Sequence, residues 1–421
     1  MGKEPATPYG GKPDRGSSHR SNKSLKCVIR DSMSVVGEFV SFMALRNQLV
    51  AGVLVLLALV HMAILFAPSD GKSLDFAAFY RAGLLARENI RALYDRTAQE
   101  QVWPLPTNDP HGKSYFYHPP FEVPLLRFFA GFPYKTAFTL WSLATLSLLC
   151  AASWLLRGMF QSLPQHPLLL TLAFFPTFAL IWIGQDSAWL LLCFVLAYRA
   201  FLKEQDWQCG AFVALALFKF QYAIPLIALL AFRRRPKVLI AFSAVAVCLA
   251  LLSWVMIGTT GIISYCNLLR DHGYEKSARM VNLRGLLSVF GQHPAALTIA
   301  LSIALLIWFG LHEIPDSIYF PGAVAVAVLV SYHGENYDAV LLLLPLVAVF
   351  SIGYRWPAIF FVSPLYLVLL RYNILAIIAV PIAGLVWALS RPLDDSHSLH
   401  VPVVRAVEDE LRRDRQKSSR S

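Results

Sequence analysis

The chain has 421 residues, of which 57% are hydrophobic and only 15% are charged, and its formal net charge is +11. A soluble domain carries about 25% charged residues, so soluble, disordered and fibrous classes are all excluded. Long apolar runs with few charges are what membrane-spanning helices require. The composition therefore predicts an all-α polytopic integral membrane protein. No CxxC spacing or single basic patch occurs, so zinc, disulfide and nucleic-acid sites are not expected.

The chain divides by composition into a leader, an apolar region and a tail. Residues 1–46 are polar and basic, which predicts a disordered cytoplasmic leader. No small-residue cleavage site follows the first apolar stretch, so 47–67 is expected to be a retained transmembrane helix. A charged cytoplasmic tail is expected at 391–421. The transmembrane domain is expected to span 47–390, with further apolar runs at 135–156, 166–183, 187–202, 208–232, 237–257, 295–311, 316–331, 337–353, 356–370 and 373–389.

Basic residues in short loops predict which loops face the cytoplasm. They lie at Arg157, Arg199, Lys203, Arg233 to Lys237, Arg355 and Arg391. This pattern places both termini inside only if 208–232 enters and leaves on the same side. It is expected to form two short helices joined near the outer face, or a re-entrant hairpin. About twelve membrane passes follow, with two long extracytoplasmic loops at 68–134 and 258–294.

The first long loop is predicted to contain helices that lie on the membrane surface. Apolar residues repeat at helical spacing between Asp75 and Tyr94, with arginines between them. A second apolar stretch, 121–132, follows the stiff corner His118-Pro119-Pro120.

Polar residues that need an explanation collect on the outer side of this topology. They are Asp75, Gln185, Asp186, Lys219, Gln221, Asn282, Arg284, His333, Glu335 and Asp338. Their convergence predicts a polar cavity that opens outward from a cell inner (plasma) membrane.

Each of these residues also has a purely structural interpretation. Asp75 could cap the surface helix, since Asp is a favoured N-cap. Gln185 and Asp186 could form a hydrated turn, and so could the segment around His333. Lys219 is harder to explain this way, because a Lys at the centre of an apolar helix costs about 2.5–3.5 kcal/mol on insertion scales.

Several motifs are absent from the sequence. There is no Gly-rich phosphate loop, no GxGxxG and no HExxH, so neither a cytosolic nucleotide site nor a metal site is indicated. There is also no Asp-X-Asp pair in any loop, which metal-dependent nucleotide-sugar enzymes usually need. The substrate is therefore expected to arrive from the membrane or from outside, and no cofactor is expected.

A series of short motifs in order resembles glycosyltransferase family 87, a member of the membrane-embedded GT-C superfamily. The motifs are LDFAAFYRAG (74–83), ALYD (92–95), YFYHPPFEVPLLRFFAGFPYKTAFTLW (115–141), GQDSAWLLL (184–192), LFKFQYAIPL (217–226), VNLRGLLS (281–288) and SYHGENYDAVLLLLP (331–345). The chain departs from the family pattern at His118, where Tyr-Pro-Pro is usual, and at Phe220, where Pro is common.

The resemblance implies an activity as well as a GT-C-like fold. Family members resemble polyprenyl-phosphate-mannose-dependent α-mannosyltransferases, so the expected reaction is inverting transfer of a hexose from a lipid-phosphate donor. The expected acceptor is a glycolipid or glycan on the extracytoplasmic face. By the same resemblance, Asp75 matches the catalytic aspartate and His333 matches a histidine in the late outer turn.

Sugar transfer from a lipid monophosphate needs a carboxylate to accept the hydroxyl proton and cations to stabilise the departing phosphate. Asp75 is therefore assigned as general base. Lys219, His333 and Arg284 are candidate phosphate partners, with His118 and Arg81 as further candidates. The remaining candidate substrate-binding residues are Gln185, Asp186, Gln221, Tyr80, Asn282 and Asp338.

Two other functions are compatible with the composition. A transporter or flippase of lipid-linked saccharides would also need polar residues in the bilayer, but transporters usually place their sites near the midplane between paired repeats. A non-catalytic scaffold would use its basic leader and mixed-charge tail, although mixed charges of this kind usually form a solvated helix.

Overall fold

The computed structural model describes residues 74–102, 115–159, 167–271, 280–289, 295–351 and 374–391, together with isolated residues between 48 and 60 and between 366 and 372. The chain divides into two compact units, Met1–Val53 and Leu54–Ser421, and the site described below lies in the second. The predicted leader and almost all of the predicted tail lie outside the described residues.

Every regular element in the described ranges is helical, which confirms the all-α class. The α-helices are α1 Leu74–Asn89, α2 Arg96–Gln101, α3 Val123–Phe129, α4 Tyr134–Met159, α5 Pro167–Ala173, α6 Phe175–Ile183, α7 Ser187–Leu202, α8 Asp206–Leu215, α9 Phe220–Ala231, α10 Pro236–Asp271, α11 Leu283–Ser288, α12 Ala295–Gly310, α13 Asp316–Val330, α14 Leu343–Ser351 and α15 Ala379–Leu389. Short 3-10 helices lie at Ile90–Ala92, Pro120–Glu122, Ala216–Lys219, Asn336–Leu342 and Leu375–Ile378.

Three stretches in the described residues are long and apolar enough to cross a membrane: Tyr134–Arg157, Asp206–Ala231 and Pro236–Arg270. Several shorter apolar helices accompany them, so the chain has the character of a membrane protein. The total of about twelve passes stays a prediction.

Part of the predicted second outer loop, 258–294, is helical. Gly258 has φ 69° and ψ 178°, which interrupts α10 close to the predicted end of the apolar run. Helix geometry resumes after this break and continues to Asp271, and α11 follows. A glycine is required there because a side chain strongly disfavours that backbone conformation.

The helix predicted after Asp75 forms, but it is buried on more than one side. Phe76 and Phe79 pack against Trp141 of α4, with ring centroids 5.8 and 5.6 Å from it. Arg81 lies between the apolar positions that predicted a helix on the membrane surface, yet it is only 4% exposed. The helix that carries Asp75 is therefore held by packing on several sides.

Close contact between α1 and α3 depends on the absence of a side chain at Gly83. A methyl group there would lie 2.4 Å from the Leu126 carbonyl oxygen and 2.8 Å from the Ala130 Cβ. The carbonyl is main chain, so a side-chain rotation cannot relieve the first of these contacts.

Gly83→Ala is expected to destabilise the protein by about 1–3 kcal/mol, the usual cost of overpacking. Thermal unfolding in detergent measures this effect. Gly52→Ala is the matched control, because a methyl group there has no neighbour within 4 Å. Equal unfolding temperatures for the two variants would contradict the close approach of α1 and α3.

The segment around Lys219 breaks into two short helices. α8 leads into the 3-10 turn Ala216–Lys219, and Lys219 itself has φ −118° and ψ 66°, outside the helical region. α9 starts at the next residue. The chain therefore changes direction at Lys219, as predicted from the charge pattern of the loops.

The two ends of this segment lie together. Arg235, just after α9, places its Nη1 3.4 Å from Asp206 Oδ1 and donates to the Phe201 carbonyl at 2.9 Å. Helices α8 and α9 have 10 and 12 residues, or about 15 and 18 Å, and neither can cross a hydrocarbon core of about 30 Å. Although Asp206–Ala231 is long enough in total to cross once, it folds as a hairpin with Lys219 at its tip.

A group of charged residues marks the end of the bundle opposite Lys219. Arg233 Nε lies 3.1 Å from Asp316 Oδ1, and Arg235 also pairs with Asp316. Asp316 starts α13, which runs back to Val330, next to the loop that meets Lys219. The hairpin and α13 thus run between two polar ends of the bundle. One is the basic end at Arg233 and Arg235, and the other is a second polar region around Lys219.

Candidate functional site

The second polar region is built where several short elements end. The tip of the hairpin meets the loop between α6 and α7, the segment before α14, the first turn of α1, and the corner at His118. Apart from the 3-10 helix before α14, these elements are loops or helix ends, which can present polar side chains without interrupting a helix.

Lys219 is the centre of this cluster. It is 3% exposed, and its Nζ donates to Asp338 Oδ1 at 2.6 Å and to Ser187 Oγ at 2.7 Å. Asp186 Oδ1 lies 3.0 Å from the same nitrogen. Two buried carboxylates therefore neutralise a cation that would otherwise be costly inside an apolar bundle.

Asp338 connects Lys219 to the segment before α14. Its Oδ2 accepts a hydrogen bond from the Tyr222 hydroxyl at 2.8 Å and one from the backbone N–H of Glu335 at 3.2 Å. Ser187 donates to Oδ1 at 2.5 Å. This carboxylate is thus held by three chain segments at once.

Gln185 links Asp75 to Lys219. Its Nε2 donates to Asp75 Oδ2 at 2.9 Å, while its Oε1 accepts from Lys219 Nζ at 3.3 Å. Asp75 lies in the first turn of α1 and is half-buried. The amide of Gln185 therefore fixes the distance and orientation between a carboxylate and the buried cation.

Burial raises the pKa of Asp75 above its ordinary value. The hydrogen bond from Gln185 and the charges of Lys219 and His118 oppose this shift, and the nearby Asp338 adds to it. A carboxylate with a raised pKa holds a proton more tightly, and this makes it a better general base while it remains ionised.

A second group of ionisable side chains adjoins Asp186. His118 Nδ1 lies 2.8 Å from Glu122 Oε2 and 3.2 Å from Asp186 Oδ2. The three side chains offer one ligand atom each, all within 4.8 Å of one another. The His118 ring is also held by Phe79, which it meets edge-on at 4.9 Å, and by Phe116.

Mutual charges decide the protonation of this group. Burial alone would lower the pKa of His118, but Glu122 and Asp186 overcome it and raise the pKa to about 10. Burial raises the pKa of Glu122 to about 7 against the opposing charge of His118. Burial would also raise the pKa of Asp186, but Lys219 and His118 hold it below its ordinary value.

Three of the candidate binding residues make contacts that stabilise the fold. The Tyr80 hydroxyl donates to the Phe132 carbonyl at 2.7 Å, and Arg81 Nε donates to the Ala77 carbonyl at 3.1 Å. Asn282 caps α11 by accepting from the Gly285 N–H at 2.9 Å. Its Nδ2 donates to the Ser331 carbonyl at 2.9 Å. This bond connects the second long loop to the late turn, residues 331–337.

The remaining candidates lie near the late turn or on α9. Arg284 Cζ lies 4.4 Å from the centroid of the Tyr332 ring, and Nη1 donates to the Tyr332 carbonyl at 3.2 Å. His333 is the next residue and is half-buried. Gln221 is half-buried on α9 and takes no part in the hydrogen bonds of the Lys219 cluster among the described residues.

Sequence reasoning missed three members of the cluster: Glu122, Ser187 and Tyr222. Two of the three lie at a spacing that carried a signal. Glu122 follows His118 by four residues and Tyr222 follows Lys219 by three, which are the spacings of neighbours on a helix, although neither pair lies within a single helix here. Ser187 follows Asp186 directly, but a serine at the start of a helix is common and gives no specific indication.

Comparison with known proteins supports the resemblance seen in the motifs. No curated protein and no solved structure matches the chain. A family model described as glycosyltransferase family 87 matches residues 116–364, more than half of the chain, and this range includes His118, Gln185, Lys219 and Asp338. Asp75 precedes it. The chain therefore belongs to glycosyltransferase family 87.

Proposed function

We propose that this glycosyltransferase is a multi-pass inner-membrane enzyme that transfers a hexose, mannose by preference, from a polyprenyl-phosphate donor. The acceptor is a glycolipid or glycan on the extracytoplasmic face, and transfer inverts the anomeric configuration. The observation that carries the proposal is the Gln185 bridge, which joins the Asp75 carboxylate to the buried Lys219 cluster.

Asp75 acts as the general base in this scheme. It accepts the proton of the acceptor hydroxyl as the new glycosidic bond forms. Its half-buried position leaves it accessible, and its raised pKa matches the role. Gln185 keeps one carboxylate oxygen occupied, so the other oxygen is directed to the acceptor.

Lys219 acts mainly by positioning other groups. Its charge is already neutralised by Asp186 and Asp338, so little of it remains for a phosphate. It holds Gln185 and, through it, Asp75. The charge that develops on the departing phosphate is then stabilised by His333 and Arg284, which lie together at the late turn.

The hairpin supports an outward-facing site. It brings Lys219 to a polar region while both ends of 206–231 return to the side that carries Arg233 and Arg235. Basic residues mark the cytoplasmic side, so the Lys219 region faces the opposite side. The proposal keeps about twelve passes in a GT-C-like domain at 47–390, with both termini in the cytoplasm.

Transfer can be tested with the purified protein in liposomes and a synthetic polyprenyl-phosphate β-mannoside labelled in the sugar. Membrane lipids and envelope glycans serve as acceptors, and nuclear magnetic resonance of the product gives its anomeric configuration. An α-linked mannosyl product supports the proposal. The glucosyl analogue and a nucleotide-linked mannose are the matched donors.

Three other outcomes would each contradict a part of the proposal. Faster transfer from the glucosyl donor would overturn mannose. Faster transfer from the nucleotide sugar would overturn the lipid-phosphate donor. Movement of labelled donor across sealed vesicles without a new glycosidic bond would identify a transporter instead.

A further inference from the structure

The group formed by His118, Glu122 and Asp186 has the geometry of a metal-binding site. Octahedral coordination at about 2.1 Å places neighbouring ligand atoms about 3 Å apart. The separations from His118 Nδ1 are 2.8 Å to Glu122 Oε2 and 3.2 Å to Asp186 Oδ2. A cation could therefore contact all three atoms with little movement of the side chains.

Asp186 has charged neighbours but is incompletely satisfied by hydrogen bonds. Its side chain is 1% exposed, and neither carboxylate oxygen accepts a hydrogen bond of acceptable geometry from the described residues. Oδ1 faces Lys219, whereas Oδ2 faces His118. A buried carboxylate oxygen without a hydrogen bond is costly, and coordination of a cation would satisfy it.

The balance of charge around the site also favours an added cation. Within the connected cluster of described residues, carboxylates outnumber cationic side chains. The carboxylates are Asp75, Glu122, Asp186 and Asp338, whereas Lys219 is the one permanent cation and His118 the one protonatable side chain.

We propose that His118, Glu122 and Asp186 bind one divalent metal cation of the Mn²⁺ or Mg²⁺ class. The two carboxylate oxygens suit Mn²⁺ and Mg²⁺, and the imidazole nitrogen favours the transition metal Mn²⁺ over Mg²⁺. Because no protein sulfur takes part, soft metals are disfavoured. The His118 side chain is 17% exposed, which leaves a route for the cation and for further oxygen ligands.

The metal site lies beside the proposed reaction centre, because Asp186 is next to Gln185 in the chain. The role of the cation rests on the proposed function: it would help to balance the negative charge of the donor phosphate. The binding site itself does not depend on that role, so it can be tested without any sugar substrate.

Mn²⁺ binding to the full-length protein in detergent provides the test, measured by loss of the free Mn²⁺ signal in electron paramagnetic resonance. We expect one bound Mn²⁺ per wild-type chain, displaced by excess Mg²⁺. Glu122→Gln removes one ligand and keeps the shape of the side chain. It should weaken Mn²⁺ binding at least tenfold. Even substitutions of residues that only support the metal ligands lower metal affinity by about 10–100-fold.

Asp206→Asn is the matched control, because Asp206 is an acidic residue at the other end of the bundle, and it should bind Mn²⁺ as wild type does. Unfolding temperatures in EDTA establish that each variant is folded, and His118→Gln replaces Glu122→Gln if the latter is not. Absence of bound Mn²⁺ in the millimolar range, or equal binding by wild type and the ligand variant, would overturn the site. Either result would leave the Asp75 reaction unaffected.

Discussion

Asp75→Asn is expected to lower kcat by about 10²–10⁴-fold, the usual contribution of a general acid or base. The asparagine oxygen can still accept the hydrogen bond from Gln185, so the surrounding structure should stay intact. What the substitution removes is the ability to take a proton. Transfer from the synthetic lipid-phosphate donor measures the effect, and the unfolding temperature reports on the fold.

Asp95→Asn is the control for helix capping. The Asp95 side chain caps α2 by accepting from the Ala98 N–H at 3.1 Å, and Asn caps a helix about as well as Asp. This variant should therefore retain both activity and stability. If Asp75→Asn also retains full activity, Asp75 is only a residue at a helix start and the base must be another group.

The pH dependence of transfer gives an independent check on Asp75. A base must be ionised to accept a proton, so kcat/KM should fall as the pH drops through the pKa of Asp75 in the free enzyme. Since burial raises that pKa, the acid limb should lie above the value of about 3.9 for a free aspartate. If the residual activity of Asp75→Asn shows the same acid limb, the group that titrates there is not Asp75.

Lys219→Met is expected to produce the largest loss of stability, about 3–5 kcal/mol, because it leaves buried carboxylates without their cation. Asp186 and Asp338 both face the Lys219 nitrogen. The substitution also releases Gln185, so transfer should fall even in molecules that stay folded. Thermal unfolding in detergent and transfer from the lipid-phosphate donor measure the two effects.

Lys237→Met is the matched control, because Lys237 is exposed at the start of α10 and its loss should change stability little. Adding Asp338→Asn to Lys219→Met removes one unpaired charge and should recover part of the lost stability. If Lys219→Met is as stable as Lys237→Met, the buried ion pairs do not hold the site together.

Local patterns in the sequence determined the class of the protein and the position of several elements. The long apolar runs predicted helices, and the ordered motifs indicated the glycosyltransferase family. The basic loops predicted a segment that returns to its own side of the membrane, and the chain doubles back at Lys219. Apolar runs, motifs and loop charges are set by residues close together in the chain and by the requirements of the bilayer. They can therefore be recognised in a single sequence.

Only the tertiary structure decided which polar residues pair. Lys219 and Asp338 are 119 residues apart along the chain, and Gln185 and Asp75 are 110 apart. Their contacts depend on the register in which helices pack, which no local pattern specifies. Packing pairs Lys219 with Asp186 and Asp338, and it brings Glu122 to His118 and Asp186.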